Sequence, residues 1–341
     1  MGRLVELFTD GTPTVAMSLY LAPHDTAISD AVRIAHGTGL PVDVTTVAEA
    51  VGSDITNVVR SCVDDGNFGA AAAVLSTYLA NDVCVAVSEF TKTLIVEAAE
   101  QIDARHGTRF APTCRAKVDI SYPAVDSAAY TDLDPVVTAQ VVGERGLDVD
   151  GYVLFLSRLT KAKGVDDLID GFVASNVAET MLLVIAGNGP DAEAMRAHAE
   201  SVGLGDRVRF LHDVDDVEKS HLMAGSAAYV LASKPRPEFV ETFGIALVEK
   251  MLAGGGPVIT TATGGIPEAV GDAARIVPVA DPMAIAQALD DVLVMMSPSD
   301  RRDAAAAARR HALQFDRALV FDRLTERIES ARRASSQEIV A

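Results

Sequence analysis

From Gly151 onward, apolar and polar positions alternate in a regular way. Short runs rich in leucine and β-branched residues, at 152–156, 182–186, 208–211, 228–232 and 257–260, are separated by stretches of helical character. Runs this short, apolar throughout and bounded by glycine and polar turns, read as strands buried on both faces. Strands alternating with helices make βαβ units, which predicts an α/β class with a doubly wound parallel sheet. Upstream of Asp150 the pattern is weaker. It predicts strands at 14–21 and 83–88, helices at 27–36, 54–64, 69–80 and 91–102, and a last strand at 118–126 that runs into a proline turn. Residues 126–150 are polar with little periodicity and read as an interdomain linker, while everything after Asp281 reads as helix. The chain thus divides into an N-terminal Rossmann-like domain over 1–145, short of strands and incomplete beside its partner, a C-terminal one over 146–315, and a helix and tail over 316–341.

Composition changes this picture in two ways. At 341 residues and 49% hydrophobic, the chain has the length and apolar content for two cores. Its 29 Lys+Arg against 48 Asp+Glu give a net charge of −19. A field of that sign repels nucleic acid and anionic membrane surfaces, so a phosphate-bearing ligand needs a local cluster of donors. The cysteines, Cys62, Cys84 and Cys114, lack metal-type spacing and suit a reducing compartment. Neither a secretory leader nor a membrane-length apolar run is present in the sequence, so the expectation is a cytoplasmic protein without an integral membrane segment.

Ligands of open α/β sheets bind beyond the carboxyl ends of the strands. After the 152–156 strand come Arg158, Lys161, Lys163 and Gly164, with Asp166 and Asp167 in the first turn of a helix. Two cations beside a helix N-terminus can hold a diphosphate; alternatively the lysines are surface residues and Arg158 pairs with Asp166. After the 182–186 strand, Gly187-Asn188-Gly189-Pro190-Asp191-Ala192 fits the G-x-G-x-x-A dinucleotide fingerprint. That fingerprint belongs on the first strand of its unit, and the acidic residue expected after the next strand is missing. A tight turn at a ligand-facing end is the preferred reading, with Pro190 at the first helical position.

The most informative segment is 237–260. A helix starts near Gly244, and counting its apolar stripe from Ile245 gives Val248, Glu249 and Leu252. Glu249 on that stripe, with Leu252 and Ala253 rather than a cation at i+3 and i+4, needs a partner from elsewhere or a ligand. An ionised carboxylate accepts hydrogen bonds from hydroxyls, as a sugar would offer them. Glu241 precedes the same helix, about 10 Å away along the axis. Between them the amides of Phe243, Gly244 and Ile245 lie at a helix N-terminus, where phosphate is favoured. The other reading makes Glu241 a helix-terminus acid and Glu249 a rim residue. The segment 261–272, with Gly264-Gly265 and Pro267-Glu268, reads mainly as structural.

Taken in order, Arg158…Lys163-Gly164, Gly187-Asn188-Gly189-Pro190, Glu241-x7-Glu249 with Phe243-Gly244, and Thr263-x-Gly-Ile-Pro-Glu268 give the chain a specific likeness over about 83–300. It resembles the GT-B fold retaining glycosyltransferases of the family 4-like group (glycosyl transferases group 1). The resemblance implies two Rossmann-like domains facing a cleft and transfer of a hexose from a nucleotide-diphosphate sugar to a small soluble acceptor. No metal and no other cofactor would be needed. Arg158 and Lys163 would hold the diphosphate and Glu241 a sugar hydroxyl, as the catalytic set. Glu249 would take the ribose, with Phe243, Gly244, Ile245, Gly187, Asn188, Gly189 and Arg209 completing the donor-binding set. His24 is the one match for a histidine that the family carries in its N-terminal domain, with His36 and His106 weaker. The family's opening strand and glycine-rich loop are not found, as though the sequence began within that domain. Two other functions are carried forward: a donor-binding remnant or subunit without strong catalysis, and an NAD-dependent oxidoreductase resting on the 187–192 motif.

Overall fold

The structure, a computed structural model, describes residues 1–237 and 239–338. Two compact units emerge, Met1–Pro123 together with the chain from Ala318 onward, and Ala124–Arg317. Residues 124–145, which the polar pattern assigns to the first domain, therefore lie with the second unit. Helix Pro135–Glu144 packs there on helix Asp216–Gly225, with the Thr138 hydroxyl 2.9 Å from His221 Nδ1.

The first unit holds a parallel sheet in the order β1-β2-β3-β4, comprising Thr14–Ser18, Val44–Ala50, Val83–Ala86 and Val118–Ile120. Its small-residue face, with Ala48, Cys84 and Ala86, packs under helices Phe68–Ala80 and Glu89–His106. Its valine face, Val47, Val83 and Val85, is closed by Leu324 of the last helix, Arg317–Glu338. The segment after 316 thus returns to cover the first sheet, and Arg327 donates to the Ile120 carbonyl at 2.5 Å. β2 escapes the hydrophobic pattern because Thr45, Thr46 and Glu49 interrupt it. β4 stops at Ile120, three residues before Pro123, which has no N–H for a ladder.

Glu49, near the carboxyl end of β2, is a half-buried carboxylate, pushed up to about 7 by burial first and by the neighbouring Asp54 charge second. Such a group binds its proton more firmly folded than unfolded. It therefore adds stability that is complete below its ordinary value of 4.5 and is lost as pH rises through about 7. Urea midpoints should fall between about pH 5 and about pH 8, and fall less in Glu49→Gln. An unchanged slope in that variant would remove Glu49 as the source.

The second unit is a six-stranded parallel sheet: β5 Tyr152–Leu156, β6 Leu182–Ala186, β7 Val208–Leu211, β8 Ala228–Leu231, β9 Val258–Thr261 and β10 Arg275–Val277. Five of them coincide with the apolar runs read from the sequence. β10 was not legible because Arg275 and Ile276 are exposed and leave no buried run. The order β10-β9-β8-β5-β6-β7 reverses direction between β5 and β8. A doubly wound sheet opens its crevice there, at the carboxyl ends of the two strands on either side of the reversal. Each unit therefore has the Rossmann-like α/β architecture.

Candidate functional site

The loop after β5 carries Arg158 and Lys163; the loop after β8 carries Glu241 and leads into helix Ile245–Ala253 with Glu249. Both therefore leave the strands that flank the reversal. Lys234 joins them: its ammonium reaches Asp166 Oδ1 at 2.8 Å and Oδ2 at 2.9 Å, and its amide donates to Ala162 at 2.8 Å. Asp166 is thereby occupied, and Arg158 is left exposed, with no side-chain partner among the described residues. The alternative pairing of Arg158 with Asp166 does not occur.

Lys163 is no surface residue. It is 13% exposed, and its Nζ lies 2.5 Å from Glu241 Oε2 and 4.6 Å from the centre of the Phe239 ring. Glu249 likewise has its partner from elsewhere in the fold. Its Oε1 accepts from Lys219 Nζ at 2.9 Å and from the Tyr130 hydroxyl at 2.7 Å. In each glutamate one oxygen is held by a lysine, while the other makes no hydrogen bond among the described residues. Each carboxylate thus pairs with a cation and keeps acceptor capacity to spare.

The two charges also meet electrostatically. Tyr229, on β8, is fully buried and donates to the Leu156 carbonyl at 2.7 Å, at the carboxyl end of β5. Its phenol is pushed above its ordinary range by burial, and further by the charges of Glu249 and Glu241. Both glutamates therefore act on one point beside the β5 terminus.

Helix Ile245–Ala253 begins at Gly244, whose φ of +97° no other residue adopts easily, and no side chain caps it. Its core face is Leu247, Val248, Met251 and Leu252, all buried, whereas Ile245 is 44% exposed. The stripe counted from Ile245 is displaced by this, and Glu249 sits at the margin of the buried face rather than within it. Phe243 is buried, edge-on to Phe315 at 5.1 Å, and so anchors the turn more than it faces solvent.

Gly187 and Gly189 have a packing role. A Cβ on either would come within 2.1 Å of the Ser157 or Leu159 carbonyl oxygen, so only glycine lets the β6 loop close on the β5 loop. Leu159 donates to Asn188 O at 2.9 Å across this contact, and the Asn188 amide donates to His212 O at 2.6 Å. The motif also follows β6 rather than β5, the first strand of its sheet, which removes the position a dinucleotide fingerprint requires. Gly264 serves similarly: a Cβ there would lie 1.9 Å from Glu241 O, and the adjoining Gly265 amide donates to that same oxygen at 2.9 Å. Arg209 stands apart, exposed near the amino end of the edge strand β7, with its guanidinium 3.3 Å from Asp206 O. His24 is exposed in the first unit, tilted against Tyr20 at 5.8 Å. His36 is also exposed, and His106 stacks on Phe68.

Sequence reasoning missed Lys219, Tyr130 and Lys234. Lys219 and Tyr130 reach Glu249 from 30 and 119 positions away, so no local spacing announces them. Lys234 had a signal, a cation directly after an apolar strand.

Residues 145–311 match the family described as glycosyl transferases group 1. A GDP-mannose-dependent alpha-(1-6)-phosphatidylinositol monomannoside mannosyltransferase of Mycobacterium tuberculosis is 29% identical over 232 residues, 67% of this chain and 56% of that protein. A D-inositol 3-phosphate glycosyltransferase of Frankia alni is 30% identical over 57% of this chain and 48% of its own length. The chain spans about half the length of these relatives. Among solved structures, Anabaena HepE in complex with UDP and glucose superposes with a TM-score of 0.73 at 19% identity, covering 96% of this chain and 81% of that one. The fold is that of the GT-B proteins. Among the described residues no helix is long and apolar enough to cross a membrane.

Proposed function

From the premise that this chain is a GT-B fold protein related to the group 1, family 4-like glycosyltransferases, we propose that it transfers a hexose from a nucleotide-diphosphate sugar to a small soluble acceptor. Transfer proceeds with retention of anomeric configuration and without a metal ion. The observation that carries this reading is the pair of lysine-held glutamates at the sheet reversal, each with one oxygen open, and, on the β5 loop, Arg158 without a hydrogen-bond partner among the described residues. Arg158 and Lys163 offset charge on the departing diphosphate. Glu249 accepts from the ribose hydroxyls through its open oxygen and Glu241 from a hydroxyl of the sugar. The uncapped start of helix Ile245–Ala253 favours phosphate between them. Catalysis then rests on positioning and on electrostatic stabilisation of the leaving group.

The test is calorimetry with nucleotide sugars and their nucleoside diphosphates. Loss of a charge-assisted hydrogen bond at Glu249→Ala should weaken binding about ten- to a hundredfold. Lys219 and Tyr130 are relieved of a partner in that variant, so its melting temperature is measured alongside. Unchanged affinity would take Glu249 out of the donor site.

A further inference from the structure

At the opposite end of the second sheet, the segments entering β5, β8 and β9 border a cavity of about 540 Å³. Its charged lining is Arg302, Arg309 and Arg310 from helix Pro298–Ala312, and Asp150 just before β5. Three guanidiniums against one carboxylate leave a local charge of 3 − 1 = +2, in a chain whose net charge is −19. Arg309 is anchored, donating through Nη2 to Ala253 O at 2.8 Å. Arg302 and Arg310 have no hydrogen bond or ion pair among the described residues, although the chain carries 48 acidic residues able to neutralise them. Cations left unpaired on an acidic protein, converging on one concavity, mark a place for an anion brought from outside.

We propose that this cavity binds the phosphoryl group of a small phosphate ester, distinct from the donor site. Local charge of +2 matches a phosphate dianion, and the planar guanidinium fork suits phosphate oxygens better than a point charge would. Val149, Ala305 and Leu313 line the same cavity and offer apolar surface beside the arginines for the carbon part of the ester. Gly254 and Gly255, with φ of +78° and +73°, turn the backbone tightly at the cavity edge and keep side chains out of it. Gly254 is also the C-cap of helix Ile245–Ala253, which carries Glu249 at its other face.

Calorimetry of inorganic phosphate and of glycerol 3-phosphate with the full chain at low salt tests this. Arg302→Gln with Arg310→Gln should weaken binding at least about tenfold. A charge-matched Arg301→Gln/Arg323→Gln chain, altered outside the cavity, should retain it, as should Arg158→Gln/Lys163→Gln. Circular dichroism verifies that each variant is folded. Equal losses in the first two variants would reduce the effect to net charge and overturn the site. Loss only in Arg158→Gln/Lys163→Gln would place the phosphate at the β5 loop and overturn it too, without touching the donor-site reading. Arginine-dependent sedimentation with phosphatidic acid vesicles, but no binding of the soluble esters, would overturn the soluble source in favour of a lipid headgroup.

Discussion

A Lys163→Met chain is expected to lose about a hundred- to a thousandfold in turnover, the range for removing one preorganised group that stabilises developing charge. Lys163 is nearly enclosed, lying between Glu241 Oε2 at 2.5 Å and the Phe239 ring, so its ammonium is held in place before any donor arrives. The substitution acts twice. On the proposed reading it removes a positive charge from beside the departing diphosphate, and it leaves the largely buried Glu241 carboxylate without a counter-charge. A carboxylate left there without its partner costs stability, so the variant should also melt below the parent. Lys163→Arg keeps the charge but spreads it over a fork, and should recover part of the turnover. The measurement is steady-state transfer or donor hydrolysis, with the melting temperature taken alongside. Turnover equal to that of the parent would confine Lys163 to a structural role.

The second sheet was legible because its strands are buried on both faces. Burial on both sides demands continuous apolar runs, and 152–156 or 182–186 cannot be mistaken for amphipathic elements. The first sheet was less so. β2 places Glu49 and two threonines among valines and alanines, and its valine face is finished by Leu324, remote in sequence. Glu249 could be singled out because a carboxylate near apolar neighbours needs a reason, and Glu241 because it precedes the same helix. What pairs with them could not be read: Lys163, Lys219 and Tyr130 arrive through the fold, and spacing along the chain carries no information about it. The helical count from Ile245 failed for a related reason. A single helix shows which residues share a stripe, but its neighbours decide which stripe is buried.

Lys250→Met carries the largest expected effect on stability, roughly 3 kcal/mol or about 6–12 °C in melting temperature for a unit of this size. Lys250 is wholly buried on helix Ile245–Ala253, one position past Glu249. Its Nζ meets three acceptors, Met223 O at 2.7 Å, Ser226 Oγ at 2.8 Å and Gly254 O at 2.7 Å. Three acceptors satisfy the three N–H groups of an ammonium. Met223 and Gly254 close the ends of two helices, where a cation is favoured. Methionine fills the space but leaves those oxygens unpaired. Burial opposes the charge and pulls the amine down to about 7 from 10.5. The folded state therefore holds fewer protons than the unfolded one between those values. The parent should gain stability as pH rises from about 7 towards about 10, a gain absent in Lys250→Met. Because this lysine fixes the helix that presents Glu249, donor affinity should fall with stability, whereas Glu249→Ala should affect affinity far more than melting. A Lys250→Met chain as stable as its parent at neutral pH would mean that desolvating the ammonium already costs as much as its three bonds return.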